Sequence, residues 1–290
     1  MKSWIYLENI FSSQEIRKTL MQESSMFDKV DANYRQIMTT ASKQDQAYRF
    51  LQKQGNQKLV DLLRQQNETV DVIMKQLNSY LETKRGDFPR FNFLSDDELL
   101  MILANQSDPS VIQGFLKQLF DGLFRLELSE SQDSMAMESR EGEKVVFVKP
   151  VKHVKAVEEW LNKIQDEMRN TMTRKLKNGQ RDYSQEPAKR REWLLTQPAQ
   201  VVATVGMIQW CQQTEDAISA MQDEPDSLNQ WFNTNDELLK QLTNLVRGDL
   251  SSLHRSIITA LITQDVHAKD IVEELKKDNV ASVYDFNWQK

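Results

Sequence analysis

The residues able to do chemistry are few and dispersed. His153, His254 and His267 could act as general bases or metal ligands, but the last two stand thirteen residues apart and none has the close partner that a ligand pair needs. Asp96, Asp97 and Glu98 could form a carboxylate cluster for a metal or for acid–base work. They directly follow Ser95, however, where a helix start collects acids for electrostatic reasons, and the capping reading is preferred. Cys211 could be a nucleophile, yet it shares a helical apolar stripe with Val201, Val205 and Ile208 and reads as core. "KRRE", Lys189 to Glu192, could hold a phosphate, but a charge run beside a loop is ordinarily solvated. "RGD", Arg247 to Asp249, falls inside a helical pattern and reads as coincidence. The chain has no G-x-x-x-x-G-K-[ST] loop, no G-x-G-x-x-G after a strand, no H-E-x-x-H and no cysteine pair. No catalytic, cofactor-binding or metal-binding residue is therefore assigned.

With chemistry absent, the question becomes what the elements are for. The 290 residues suit one extended domain or two compact ones. Eight glycines and six prolines leave few tight turns, which favours an all-α fold. A net charge of −6 argues against nucleic acid as the main partner, because a phosphate-binding face needs a basic surplus. A lone cysteine, no apolar leader in "MKSWIYLENIF" and no apolar run near the roughly 20 residues of a membrane span lead to the expectation of a soluble, intracellular chain with no membrane partner.

The periodicities place the helices. "SSQE" from Ser12 reads as a capping box with Glu15, and Phe27, Val30, Tyr34, Ile37 and Met38 form one face of a helix over about Ser24 to Ser42. Beyond Gly55, Leu59, Leu62, Leu63, Val70, Ile73, Leu77 and Leu81 mark a long helix, expected to end with a left-handed Gly86 after Lys84 and Arg85. Pro89 then disfavours helix at Phe88. "FPRFNFL" is accordingly expected to run extended, with Phe91 and Phe93 facing the same way. Ser95 and Glu98 form a second capping box, and Asp108-Pro109 starts the helix "PSVIQGFLKQLF".

The β signal lies between Leu123 and Val148, with "FRLEL" alternating and "MAMESREGEKVVFV" reading as two strands around Arg140 to Glu143, Gly142 taking positive φ. Helices resume after Pro150. One runs from Val157 to near Asn178-Gly179; "GQRDYSQEPAKRRE" is a charged loop leading to a short helix through Trp193; another starts after Pro198 and breaks at "MQDEPDS". From Ser227 two long helices follow, or one interrupted near Gly248. The expected whole is an all-α, elongated multi-helix bundle with one inserted β-hairpin: a helical part over 1–122, the hairpin over 123–150, a second helical part over 151–283 and a terminal segment over 284–290.

Particular strings say more than the periods do. "WIYLENIFSSQEI" resembles the W-x-Y-L-x-x-I-F segment of dynein heavy chains, and "FPRFNFLSDDELLMIL" is similar to their F-P-R-F-x-F-L-S-x-[DE]-E-L-L signature. "LKQLFDGLFRLEL", "SREGEKVVFVKPV", "VEEWLNKIQDEMRNTM", "QPAQVVATVGMIQW" and "FNWQK" follow in the family's order. "FSSQEI" and "FLSDDELL" look closer to axonemal than to cytoplasmic heavy chains, and "NGQRDYSQEPAKRREW" departs from the pattern, so no role is carried onto it.

The resemblance is to the middle and C-terminal parts of the linker, the lever lying across the AAA+ motor ring. It implies a non-catalytic piece of a longer chain, its partner the AAA+ ring of the same heavy chain. ATP and Mg would be bound in that ring, microtubules reached only through the parent motor, and the location would be the cytoskeleton, in the axoneme of a cilium or flagellum. Phe88, Pro89, Arg90, Phe91, Phe93, Ser95 and Glu98 are then expected to fix the joint between two helices mechanically. Phe286 and Trp288, alternating like a half-buried strand, are expected to form the junction to the ring. A static helical scaffold is the rival reading, and an enzyme with an unrecognised site the third.

Overall fold

Few glycines and prolines gave the chain little means of turning, and its computed structural model, which describes residues 2–43 and 56–290, is all-α with a small β insertion. Two units divide it: Met1–Met135 with Pro150–Gln165, and Ala136–Lys149 with Asp166–Lys290.

In the first unit, α1 (Lys2–Phe11) buries Leu7, Ile10 and Phe11, the 3–4 spacing of one helical face. Ser12 therefore follows a helix, and the expected Ser12–Glu15 box does not form: its hydroxyl donates back to the Asn9 carbonyl at 2.6 Å. Ser13 precedes α2 (Gln14–Thr19) without any side-chain cap. Arg17 instead donates to the free Phe11 carbonyl and pairs with Asp28 at 3.0 Å on α3 (Met21–Ser42). Phe11 stacks on Phe27 at 5.3 Å. Along α3 only the first half of the expected stripe is buried, Phe27 and Val30, while Met38 is exposed.

The helix expected beyond Gly55, a residue outside those described, is α4 (Asn56–Asp87), about 48 Å long at 1.5 Å per residue. Leu59, Val70, Ile73, Leu77 and Leu81 are buried along it, while Leu62 is half-buried and Leu63 exposed. Gly86 stays helical rather than left-handed. After a 3-10 turn (Pro89–Phe93) come α5 (Asp96–Ala104), α6 (Pro109–Gln113) and α7 (Leu116–Leu119). The last two replace the single helix expected over "PSVIQGFLKQLF". The Asp108 cap and Pro109 first position hold, with the Ser110 N–H donating to Asp108 at 2.9 Å.

Strands β1 (Arg125–Leu128), β2 (Ser134–Glu138) and β3 (Lys144–Val151) form an antiparallel sheet in that order. Gly142 takes φ 84° in the β2–β3 turn as expected. In the first unit the Gln113 amide pairs with both backbone groups of Leu126, at 2.7 and 2.9 Å, standing in for a further strand.

The second unit holds the rest of the hairpin and most of α8 (Val157–Arg181), followed by α9 (Pro187–Thr196), α10 (Ala199–Ala220), α11 (Ser227–Val246), α12 (Ser252–Lys277) and α13 (Phe286–Gln289). On α8, Thr171 and Glu167 accept from the β3 N–H groups of Val148 and Lys149. Glu143 at the hairpin tip accepts from the Ala199 N–H at 2.7 Å, serving an α10 N-terminus whose Pro198 has no side chain to cap it.

Gly179 lies inside α8 instead of ending it. A Cβ there would meet Val201 at 2.5 Å, so the glycine permits close helix packing. Trp193, Leu194, Val201, Val202, Val205, Leu242, Ile258 and Leu261 build one core cluster; Ile218, Leu228, Trp231, Val272, Leu275 and Val280 build another. Ile208, expected on the buried face, is exposed, and Cys211 is half-buried. Two helices, not one, follow Ser227, with Gly248 between them. α12 ends in a Schellman motif. Asn279 takes φ 54°, Val280 donates to Leu275 at 3.1 Å, and Val280 is buried against it.

Candidate functional site

The aromatic turn after α4 is the most heavily determined loop of the first unit. Phe88 is extended, φ −138° and ψ 95°, because Pro89 excludes helix there. The chain does not continue extended, however: Pro89–Phe93 coils into a 3-10 turn closed by Phe91 N–H to Phe88 at 3.0 Å and Leu94 N–H to Phe91 at 3.1 Å. A period of three replaces the expected period of two. Phe88 and Phe91 consequently share the buried side, at 1% and 0% exposure, while Phe93 points outward at 67%. The anchoring role expected of Phe93 is not observed. Phe88 and Phe91 meet edge to face at 5.0 Å, and Phe120 lies 6.1 Å from Phe88.

Arg90 clamps the turn from its polar side. Its Nη1 donates to the Leu119 carbonyl at 2.9 Å, its Nε to Gln165 at 2.8 Å, and its guanidinium lies 4.9 Å from the Phe120 ring centre. Ser95 and Glu98 form the full capping box expected of them. The Glu98 N–H donates to the Ser95 hydroxyl, and Glu98 Oε2 accepts from the Ser95 N–H at 2.9 Å. That backbone N–H, then the Gln118 amide, holds the Glu98 carboxyl below the usual carboxylate range. Arg85 reaches Asp96 at 2.7 Å across the turn, and Lys84 pairs with Glu158. Tyr6 is pushed up to about 12 by burial, then by the nearby Asp97 and Asp96 carboxylates. The three acids thus serve helix and turn, and no metal cluster exists among the described residues.

In the second unit the terminal "DFNWQK" is helical, not a strand. Asp285 accepts from the Asn287 N–H at 2.8 Å and starts α13. Two residues apart on a helix, the two aromatics point to opposite sides: Phe286 is 75% exposed, and Trp288 rests on the second core cluster, 6.0 Å from Trp210, with its indole N–H near Glu215 at 3.4 Å. Trp288 therefore already has a partner within this chain.

The sequence reading missed Arg190. Taken as part of a solvated loop, it is buried on α9, donating to the Leu238 carbonyl at 2.8 Å with Asp265 at 3.5 Å. Burial lowers its pKa and raises that of Asp265, the attraction between them only partly offsetting this. Its spacing of three and four from Trp193 and Leu194 was the available signal. A cavity of about 340 Å³ opens beside it, lined by Leu194, Leu242, Leu245 and Leu250, with Arg191 and Asp249 among its polar residues. Burial and then Glu215 push up the Cys211 thiol, which makes it a poor nucleophile.

Residues 1–179 match the family model for dynein heavy chain, N-terminal region 2. The chain is 37% identical to dynein axonemal heavy chain 6 of Homo sapiens over its whole length, 36% identical to dynein axonemal heavy chain 3 of Mus musculus over 99% of it, and 34% identical to dynein axonemal heavy chain 2 of Homo sapiens over 99%. It spans 7% of the length of each of these relatives. No helix of the described residues is long and apolar enough to cross a membrane.

Proposed function

Because this chain belongs to the dynein heavy chain, N-terminal region 2 family, we propose that it is the linker of an axonemal dynein motor. It would change between bent and straight shapes over the AAA+ ring of its own heavy chain and turn ATP-driven ring changes into a stroke along microtubules. Residues 1–122 and 151–283 would be the helical parts of the lever, 123–150 its hairpin, and 284–290 the ring junction. ATP and Mg belong to the parent ring, and this segment's share is mechanical.

The observation that carries the reading is the joint at Phe88–Glu98. A loop fixed by two buried rings, a three-way arginine and a reciprocal helix cap transmits displacement from α4 to α5, because close-packed groups deform little. Phe286, with Tyr284 beside it at 88% exposure, leaves aromatic surface at the junction for the ring to cover.

In the intact heavy chain, Arg90→Ala is expected to leave basal ATP hydrolysis measurable while slowing microtubule gliding. Unchanged gliding speed together with unchanged microtubule stimulation of ATP hydrolysis would remove the lever reading and leave a static scaffold.

A further inference from the structure

The C-terminal half of α8 carries a charge pattern that neither stability nor the lever requires. Between Glu167 and Asp182 there are five cations, Arg169, Arg174, Lys175, Lys177 and Arg181, and no acid, in a chain whose net charge is −6. Helical spacing puts Arg169, Arg174, Lys177 and Arg181 on one side, all exposed, while Thr171 and Gly179 are buried on the other. The four span about 18 Å of helix axis.

Several helical cations of this chain pair one turn away: Arg35 with Asp31, Lys240 with Asp236, Lys277 with Glu273 and, in the N-terminal half of α8 itself, Lys163 with Glu159. In the C-terminal half of α8 only Arg181 is paired, with the adjacent Asp182 at 3.0 Å; Arg169, Arg174 and Lys177 have no ion-pair partner among the described residues. Lys177 instead faces Arg181 at i,i+4, a repulsive spacing. The helix dipole favours cations in the last turn, which accounts for Lys177 and Arg181. Arg169 and Arg174 lie too far from the helix end for that explanation.

We propose that this outward face of α8 is a docking surface for an acidic segment of a partner protein. Its unpaired cations supply the complementary charge, and their rigid spacing along one helix supplies register. A nucleic acid is disfavoured by the chain's negative total and by the absence of an exposed aromatic among the cations for a base to stack upon. A membrane surface is disfavoured because the intervening exposed residues, Asn170, Thr173 and Gln180, offer no apolar group for insertion. The inference does not depend on the lever reading.

The test uses the 290-residue chain and fluorescence anisotropy at low salt, with three probes: labelled oligoglutamate, labelled oligothymidylate and phosphatidylserine vesicles. Oligoglutamate is expected to bind, to weaken with added salt, and to lose roughly tenfold or more affinity in Arg169→Glu/Arg174→Glu. Lys75→Glu, an exposed reversal on α4, is expected to bind as wild type. The neutral pair Arg169→Gln/Arg174→Gln repeats the comparison should the reversal lower the melting temperature. No binding of oligoglutamate, equal weakening by Lys75→Glu, or tighter binding of the oligonucleotide or the vesicles would each overturn the proposal.

Discussion

Two aromatic segments, Phe88–Phe93 in the first unit and Phe286–Trp288 in the second, present the same alternation in sequence and reach different ends. In each, residues two apart were expected to face one way. In each the backbone coils, so one aromatic is buried or half-buried and the other is left in water. The first is surrounded by other elements of its unit, which bury two rings almost completely; the second is a single short turn laid on one cluster, and Trp288 is only half-covered. Burial depends on how many elements converge on a turn, which the turn's own residues do not specify.

The largest expected effect is at Phe91. Phe91→Ala should cost about 3–5 kcal/mol of stability in denaturant titration, because a fully buried ring leaves a cavity. Phe93→Ala should fall within roughly 0.5 kcal/mol of wild type. Comparable losses at the two positions would break the contrast drawn here between period three and period two.

Arg90→Ala should follow at about 1–3 kcal/mol, since the half-buried Leu119 carbonyl and Gln165 amide lose a charged donor. Arg90→Lys is expected to recover only part of it, as an ammonium cannot hold the carbonyl, the amide and the Phe120 ring from one plane. Full rescue by lysine would reduce the clamp to simple charge.

In the second segment, Trp288→Ala is expected to destabilise by roughly 1–2 kcal/mol, in proportion to its partial burial. Phe286→Ala should leave the melting temperature of the isolated chain unchanged. Equal effects would mean that α13 is held by both rings.

The smallest effect is electrostatic and has a definite sign. The Glu98 carboxyl is depressed in the folded chain, so the stability it contributes is present above the ordinary carboxylate pKa and is lost as pH falls through its lowered folded value. Glu98→Gln should flatten that acid limb of the stability profile, whereas Asp97→Asn should leave it in place. An acid limb unchanged in Glu98→Gln would assign the acid sensitivity to other carboxylates.

Much of this molecule follows from local rules. The start of α5 at Ser95, the Asp108-Pro109 start and the Gly142 turn were legible because each rests on chemistry within a few residues: a serine beside its own N3 glutamate, a proline without an N–H, a glycine free to take positive φ. Serine at position 12 shows the limit of such rules. It has the same motif as Ser95 and makes no cap, since α1 already occupies the residues before it. Arg190 shows the limit from the other side, a charge whose burial was decided by a carbonyl on α11 and a carboxylate on α12. Those partners lie 48 and 75 residues away, and only the folded chain brings them within hydrogen-bonding reach. What the sequence alone determined is the all-α class, the helix starts that rest on a local cap or proline, and which family's order of motifs they carry. Which ring of each aromatic pair is buried, and which charges are dry, was decided by tertiary packing, because burial is set by neighbours distant in the chain whose convergence no local period encodes.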